Sequence, residues 1–577
     1  MKKIILSLLF ITIIPAIFMA FKPDEKDRPL TDQYIVIAWN DLGMHCANLE
    51  FANMCILPPY NNQTAHVIKK GDSTHLPVAM PGSSGIYVTY EIPGNSHSVG
   101  KTNFWDYSLH LFGVALPPDV GLAGFAMTGT MAKSDTLNYQ QATGIPITAY
   151  TDASTTIQYP YQLTMIKAFL PGGTLIASTQ SVIPVSHEIN CVSSGCHTSE
   201  MAILNQHEQV PGFNIANKPI LCANCHSDPA LGTTGQPGVP PFSQVIHMKH
   251  GEFIKTGTIS DCYKCHPGPN TQCWRDVMHT STGAITKCQD CHGSVYNVGK
   301  TIEQNGRQPW LQEPSCGAAN CHGAQFAEEP GKLFKNSKGH GGLFCSTCHS
   351  SPHAILPTTQ ANDNVQNIAL QGFAGTLSEC SVCHGYTPAG LGPHGIPAIK
   401  VLQGINISSG QSACYNATQN ITAAGNGSYF NVLSGGAATL IAGRQISFLP
   451  GTSVSNGGHL WGYITAKGRY CGSLFPPMAP VTLSEEENVS PSLSADPGFK
   501  IYPNPNTGEF TIENVSGDFP GDMEVKVINL FGKEMVARRI HANSHITVNI
   551  GDHPDGIYLV RITGGGLDHS EKIIKQH

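Results

Sequence analysis

The sequence predicts a multidomain protein. It is expected to have a β-rich N-terminal domain, a mostly irregular, short-helical central domain, a small β-solenoid or β-sandwich segment and an all-β C-terminal sandwich. Three observations support this fold class. The chain of 577 residues is longer than one domain usually is. Its cysteines are concentrated in the middle, and short runs that alternate with period two recur on both sides of them.

The N-terminus predicts export from the cytoplasm. A basic start, Met1-Lys2-Lys3, precedes an apolar run from Ile4 to Met19 and the small residue Ala20. This order is typical of a cleaved signal peptide, which we assign to residues 1–20. The alternative is a retained membrane anchor, although the run is short for a span of about 20 residues. The net charge of −7 gives no reason to expect a nucleic acid as partner.

Composition divides the rest of the chain. Residues 21–185 are predicted to form the β-rich domain, with strands at Tyr34–Trp39, Gly85–Glu91 and Tyr161–Phe169. Residues 186–402 hold most of the cysteines but few apolar runs, so a non-protein group must supply their core. The small β segment is placed at 403–475, a polar linker at 476–500 and the C-terminal sandwich at 501–577.

Cysteine–histidine motifs dominate the central domain. Five have the spacing Cys-x-x-Cys-His and two have the wider Cys-x4-Cys-His. In chain order they are Cys191/Cys196/His197, Cys222/Cys225/His226, Cys262/Cys265/His266, Cys288/Cys291/His292, Cys316/Cys321/His322, Cys345/Cys348/His349 and Cys380/Cys383/His384. Composition alone would produce about 0.03 copies of the tighter motif, so chance does not explain five.

This motif is the signature of covalent c-type haem attachment. Two thiols reach the two vinyl groups of the porphyrin, and the following histidine binds the iron as its proximal ligand. The sequence therefore predicts seven haem c groups and a multihaem central domain. Zinc is the first alternative, but it needs four ligands in a compatible geometry. A disulfide framework is the second, and it leaves the seven adjacent histidines unexplained.

Each haem iron needs a sixth ligand. Eight histidines of the central region lie outside the motifs, namely His187, His207, His247, His250, His279, His340, His353 and His394. Eight candidates for seven irons favour histidine on both faces of most or all haems, which gives electron carriers of low potential. Met201, Met248 and Met278 are the alternative ligands. Because His247 and His250 are close in sequence, one of them is expected to be spare. The alternative is that one of the eight histidines serves a haem in a neighbouring subunit.

Five cysteines lie outside the motifs. Cys414 and Cys471 bracket the small β segment and are predicted to form a disulfide, with two unpaired thiols as the alternative. Cys46 and Cys55 are predicted to form a local disulfide, with a copper site that includes Met44 and His45 as the alternative. Cys273 is left over as a buried thiol or an unassigned disulfide partner.

The C-terminal segment resembles the type A sorting domain of the type IX secretion system. The matching residues are Tyr502-Pro-Asn-Pro505 with Gly508 and Phe510, then 527–532, 556–560 and 572–576. This resemblance implies a Bacteroidota-type source, contact with the type IX machinery, and export across the outer membrane. It also implies either attachment to surface lipopolysaccharide or release. The middle of the chain resembles multihaem cytochromes of extracellular electron transfer, on its motifs alone.

Together these patterns predict an extracellular multihaem cytochrome that passes electrons to other redox proteins or extracellular acceptors. Two alternatives stay open. A reductase of a nitrogen or sulfur oxyanion would need one iron with an open side and polar groups around it. A structural or adhesive protein would use its β domains to bind polymers or minerals. A homo-oligomer or filament of this chain also stays open as its assembly.

Overall fold

The fold is known from a computed structural model. It describes residues 33–133, 137–268, 270–278, 285–309, 334–465, 470–471, 499–504, 506–514, 523–529, 534–540, 545–553, 556–564 and 567–575. The chain divides into two compact units, Met1–Ala479 and Pro480–His577. Both are rich in β-structure, which confirms the prediction of a β-rich multidomain protein. Within the described residues, no helix is long and apolar enough to cross a membrane.

The first unit begins with a β-sandwich. The strands of this part of the chain are β1 (Tyr34–Trp39), β2 (His45–Cys46), β3 (Met54–Cys55), β4 (Asn61–Lys69), β5 (Val78–Ala79), β6 (Tyr87–Glu91), β7 (Gly129–Thr130), β8 (Ala132–Lys133), β9 (Gln140–Ile145), β10 (Tyr150–Thr151), β11 (Ser154–Gln158), β12 (Tyr161–Phe169) and β13 (Leu175–Ser186). All but β3, β10 and β11 belong to the sandwich. The predicted strands at β1 and β12 have the predicted bounds, and the predicted strand at Gly85–Glu91 begins two residues later, at Tyr87. Helix α1 spans Phe104–Phe112.

Two five-stranded sheets make this sandwich. One has the order β1-β4-β9-β8, with β5 also paired to β4, and the other has the order β2-β13-β12-β6-β7. Apolar side chains from both sheets share one core, including Val36, Val67, Val88, Ile166 and Ile183. Alternation along the strands explains this core, because every second side chain of a strand points to the same face.

The central region consists of short helices joined by irregular segments. The helices are α2 (Glu200–Asn205), α3 (Phe242–Gly251), α4 (Ile259–Tyr263), α5 (Cys288–His292), α6 (Val295–Asn305), α7 (Cys345–His349), α8 (Ala361–Gln371) and α9 (Ser381–His384), and the short strand β14 (Ile220–Leu221) pairs with β3. The region packs directly on the sandwich, because Val382 joins Ile35, Ile37 and Ile68 in one buried cluster. The predicted N-terminal and central domains thus belong to one compact unit.

A three-coil parallel β-solenoid completes the first unit. Its strands are β15 (Ile399–Leu402), β16 (Ile405–Ile407), β17 (Ser412–Ala417), β18 (Asn420–Ala423), β19 (Phe430–Val432), β20 (Ala437–Ala442), β21 (Gln445–Phe448), β22 (Thr452–Val454) and β23 (His459–Ile464). They stack in parallel as β15-β18-β21, β16-β19-β22 and β17-β20-β23. Of the two predicted alternatives, the structure has the solenoid, and it begins at Ile399, four residues before the predicted boundary.

The second unit is an antiparallel sandwich. Its strands are β24 (Phe499–Tyr502), β25 (Glu509–Asn514), β26 (Met523–Asn529), β27 (Glu534–Ile540), β28 (His545–Asn549), β29 (Gly556–Gly564) and β30 (Leu567–Lys575). The sheets have the orders β24-β25-β28 and β27-β26-β29-β30. Phe510 and Ile512 of the first sheet share a core with Val525, Val527 and Ile562 of the second. The all-β C-terminal sandwich is therefore present.

The cysteines outside the motifs do not all behave as predicted. Cys414 and Cys471 form the predicted disulfide. The predicted disulfide between Cys46 and Cys55 is wrong, since both are unbridged thiols. Cys46 donates a hydrogen bond to the carbonyl of Glu188 at 3.4 Å, and Cys55 is buried in an apolar cluster with Phe51 and Phe104. Nor does the structure bring the residues of the alternative copper site together, since no group of three or more His, Cys, Asp or Glu in the described ranges is arranged to hold a metal ion.

The disulfide yields a stability prediction for the solenoid. It closes a loop with a sequence separation of 57 residues. Cross-linking a loop of this length is expected to contribute about 4 kcal/mol by restricting the unfolded chain. The double variant Cys414→Ser/Cys471→Ser should therefore unfold at lower denaturant concentration, as measured by circular dichroism. An unchanged midpoint relative to the native chain would contradict this expectation.

Candidate haem-binding site

Each tight motif folds as one helical turn. The amide of His226 donates to the carbonyl of Cys222 at 3.0 Å, and His266 and His384 do the same to Cys262 and Cys380, at 2.9 Å each. Residues at i, i+3 and i+4 lie on the same face of a helix. The turn therefore places both thiols and the imidazole of a motif on one side, as attachment to a single porphyrin requires.

The first wide motif reaches the same closure over a longer loop. The amide of His197 donates to the carbonyl of Cys191 at 3.1 Å, although two further residues separate the cysteines. The loop turns at Gly195, whose φ of +76° lies in the left-handed region that favours glycine. The second wide motif, Cys316/Cys321/His322, lies outside the described residues.

Six motif histidines face six of the spare histidines across a gap. The ring centroids are 6.0 Å apart for His197–His250, 6.4 Å for His207–His226, 6.0 Å for His247–His266, 6.2 Å for His292–His353, 5.9 Å for His340–His384 and 6.1 Å for His349–His394. A bond from a metal to an imidazole nitrogen is about 2 Å long, and the ring centroid lies ~1 Å beyond the nitrogen. Two imidazoles on opposite sides of one metal ion therefore have centroids about 6 Å apart, as in these six pairs.

Hydrogen bonds fix which nitrogen faces the gap. The Nδ1 of His247 lies 2.7 Å from the Ser243 carbonyl, that of His250 2.8 Å from Ile246, and that of His226 2.8 Å from Pro240. His207 makes the same contact with Ile203 at 3.3 Å. A carbonyl oxygen accepts a hydrogen bond from Nδ1–H, so in this tautomer Nε2 keeps its lone pair. Histidines that bind metals are usually held in this way.

Helix α3 supplies two of the facing histidines. His247 and His250 are three residues apart and face different motifs, so the structure makes neither of them spare. Helix α6 packs against α3 at Gly299, where an added Cβ would lie 2.6 Å from Met248 Cγ and 2.8 Å from the Gln244 carbonyl. Only glycine allows this close approach, which sets the position of α3 and its two imidazoles.

Two other facing histidines sit on unusual backbone. His353 has a φ of +64° and His394 a φ of +58°. Residues other than glycine avoid this region, and exceptions concentrate at functional sites where the surroundings hold them. Both histidines therefore face their motifs, His292 and His349, from conformations that their neighbours must stabilise.

A cavity of about 3020 Å³ joins the paired histidines. Sites for ordinary small ligands measure about 300–1,000 Å³, so this space is several times larger than one such ligand needs. Motif thiols line it from Cys191 to Cys383, and the solenoid contributes Arg444 and Tyr470 to its wall. The thiols of Cys262 and Cys288, from the third and fourth motifs, lie close enough that their interaction raises the pKa of Cys262 and lowers that of Cys288. The cavity therefore brings successive motifs side by side.

Burial favours the neutral form of several cavity side chains. It lowers the pKa of His266 to about 4 and also lowers the pKa of His247 and His353. It raises the pKa of the Cys222 and Cys348 thiols to about 12. A neutral imidazole is the form that binds a metal ion. Among the described residues, no group of three or more His, Cys, Asp or Glu is arranged to hold a metal ion.

Two of the eight spare histidines are not in these pairs. His187 stacks on Tyr150 with ring centroids 5.4 Å apart. Its Nδ1 lies 3.2 Å from the Ala47 carbonyl, and its Nε2 accepts a hydrogen bond from the Ala149 amide at 3.2 Å. The structure thus places His187 in the sandwich, away from the motif histidines that it describes. His279 lies outside the described residues.

Sequence reasoning missed a buried ion pair beside the fourth motif. Arg275 Nε lies 2.7 Å from Asp363 Oδ2, and Arg275 Nη2 lies 3.1 Å from Asp363 Oδ1. Both side chains are almost inaccessible, with exposures of 1% and 0%. The Arg275 amide also donates to the His353 carbonyl at 2.9 Å. The pair therefore joins α8 to the segment that holds His353.

Comparison with known proteins finds a family match in the C-terminal unit and a solved structure that is similar to a small part of the chain. A family model described as a secretion system C-terminal sorting domain matches residues 500–576. This domain indicates export to the cell surface or the extracellular space, and interaction with the secretion machinery. No curated protein matches the chain.

One solved structure is similar over a short stretch. It is a DUF3244 family protein with an immunoglobulin-like β-sandwich fold from Bacteroides vulgatus. The identity is 20%, the match covers 14% of this chain and 85% of that chain, and the TM-score is 0.12. At this TM-score the similarity carries no argument about the fold of this protein.

The ion pair yields the prediction for this site. Removing one partner leaves a buried charge without compensation, so Asp363→Leu and Arg275→Met should each destabilise the first unit by about 3–5 kcal/mol. The double variant should lose less free energy of unfolding than either single variant, because neither charge of the pair is then left buried without its partner. Thermal unfolding of the three variants measures this. Additive losses in the double variant would show that the two side chains are not coupled.

Proposed function

We propose that this protein is an extracellular multihaem c-type cytochrome that carries electrons at or beyond the outer membrane. One observation carries the proposal: six motif histidines each face a second histidine with ring centroids 5.9–6.4 Å apart. The residues fit haem because the thiols, the paired imidazoles and the cavity occur together. When bound, haem c supplies one-electron chemistry and passes electrons to neighbouring haems.

The chain's own residues have separate roles in this proposal. The motif cysteines would hold the haem covalently, and the motif histidines would each supply one imidazole ligand to its iron. The second imidazole ligands would come from His207, His247, His250, His340, His353 and His394. Apolar cavity residues such as Phe242 and Leu377 exclude water. The contact between Cys262 and Cys288 supports close spacing of the third and fourth sites.

The paired geometry favours carriage of electrons over reduction of an oxyanion. A reductase needs an iron with one open face. In the described part of the chain, each motif histidine has an imidazole opposite it, which would occupy that face. The seventh site would use Cys316, Cys321 and His322, with His279 as the remaining candidate ligand. We propose oxidised redox proteins or extracellular acceptors as partners, with surface lipopolysaccharide as the attachment point.

Haem content and spin state test the proposed function. The full chain, expressed in a host that matures c-type cytochromes, should carry seven haems by the haemochromogen assay and by mass spectrometry. Its spectrum should be wholly low-spin and unchanged by nitrite or hydroxylamine. A colourless protein, or one that binds zinc instead of iron, would refute the cytochrome. A high-spin fraction that shifts with nitrite or hydroxylamine would favour the reductase.

Substitution of a facing histidine provides a sharper test of the geometry. His247→Ala and His250→Ala should each convert about one haem in seven to the high-spin state, since each removes one iron ligand. His187→Ala is the matched control, because this ring lies against Tyr150 in the sandwich. Electronic absorption of the oxidised proteins measures the fraction. A high-spin fraction in the His187 variant, with none in the others, would contradict the pairs described above.

A further inference from the structure

The acceptor of the His353 imidazole differs from those of four other paired histidines. His207, His226, His247 and His250 each direct Nδ1 to a backbone carbonyl. His353 Nδ1 instead lies 3.6 Å from the Sγ of Cys273. Cys273 is the cysteine that neither the seven motifs nor the disulfide uses in this part of the chain.

Several contacts hold Cys273 at this position. Its amide donates to the Pro267 carbonyl at 2.9 Å, and its carbonyl accepts a hydrogen bond from Arg275 Nη1 at 3.0 Å. Arg275 is fixed by Asp363 and bonds the His353 carbonyl through its own amide at 2.9 Å. The thiol and the imidazole are thus attached to the same buried framework, so their contact does not depend on a mobile side chain.

The His353 ring has little freedom to turn away. Its backbone is left-handed, with a φ of +64°, and Trp274 packs edge-on against the ring with centroids 5.9 Å apart. A neutral thiol sulfur is a weak hydrogen-bond acceptor, weaker than a carbonyl or hydroxyl oxygen.

We propose that Cys273 is a positioning residue for His353, and that its weak acceptance raises the reduction potential of the haem between His292 and His353. This inference rests on the proposed function. An acceptor at Nδ1 increases the basicity of the imidazole, and a more basic ligand stabilises the oxidised iron more strongly. A sulfur acceptor increases the basicity of the imidazole less than an oxygen acceptor does. This haem is therefore reduced more easily than it would be with an oxygen acceptor at Nδ1.

Redox titration of the full-length haem protein tests the proposal. Cys273→Ser replaces the weak acceptor by a stronger one and should move about one-seventh of the titration curve to more negative potential. Cys273→Ala removes the acceptor and should move the same fraction to more positive potential. Cys55→Ala is the matched control, because it also removes a buried unbridged thiol, but one that lies among apolar side chains. It should leave the curve unchanged.

The outcomes separate this proposal from a purely structural role and from the proposed function. Shifts of the reduction potential in opposite directions for Cys273→Ser and Cys273→Ala support it. A high-spin fraction that appears in Cys273→Ala and is absent from Cys273→Ser also supports it. Equal curves in all variants, or shifts of the same sign for Ser and Ala, would overturn it while seven haems remain bound. Mass spectrometry of the peptide that contains Cys288 and Cys291 shows whether haem is attached there. If the native protein carries no haem on this peptide, the cytochrome assignment at this site is refuted instead.

Discussion

Two imidazoles can share one metal ion only if the protein holds them on opposite sides of a gap of fixed width. Under the proposed function, this constraint applies to the six histidine pairs of the first unit. The motif histidine needs only its own helical turn, but its partner must come from elsewhere in the chain. Partners separated by as few as 19 residues, as in His207 and His226, and by as many as 61, as in His292 and His353, meet in this way. Helix packing, a tight glycine contact and strained backbone all serve to fix these partners.

The central region cannot build a core from its own side chains. Its helices are short, and the described ones run from four residues in α9 to eleven in α6 and α8. The sandwich gives it one wall and the solenoid gives it another. Under the proposed function, cofactors replace the apolar side chains that a helical domain of this length would otherwise bury.

Many of the strands and the motif turns could be predicted from the sequence because their signals are local. A strand such as Tyr161–Phe169 is defined by its own alternation, and a motif turn by its own spacing. The pairing of His250 with His197 could not be predicted, because it depends on how α3 packs on α6. The contacts of Cys273 with His353 and of Arg275 with Asp363 could not be predicted either, because they join segments that are far apart in the sequence. The disulfide predicted between Cys46 and Cys55 failed because nearness in sequence was taken for contact, whereas β2 and β3 pair with different strands.

The solenoid wall has a consequence for the order in which the cavity is completed. Arg444 bonds Glu379 at 2.6 Å, beside the last motif, and Tyr470 adjoins Cys471 of the disulfide. All seven motifs precede this wall in the chain. A chain that ended at the last motif would therefore lack this wall, and the cavity would be open on that side. Under the proposed function, haem would enter before the solenoid folds, and the solenoid would then enclose it.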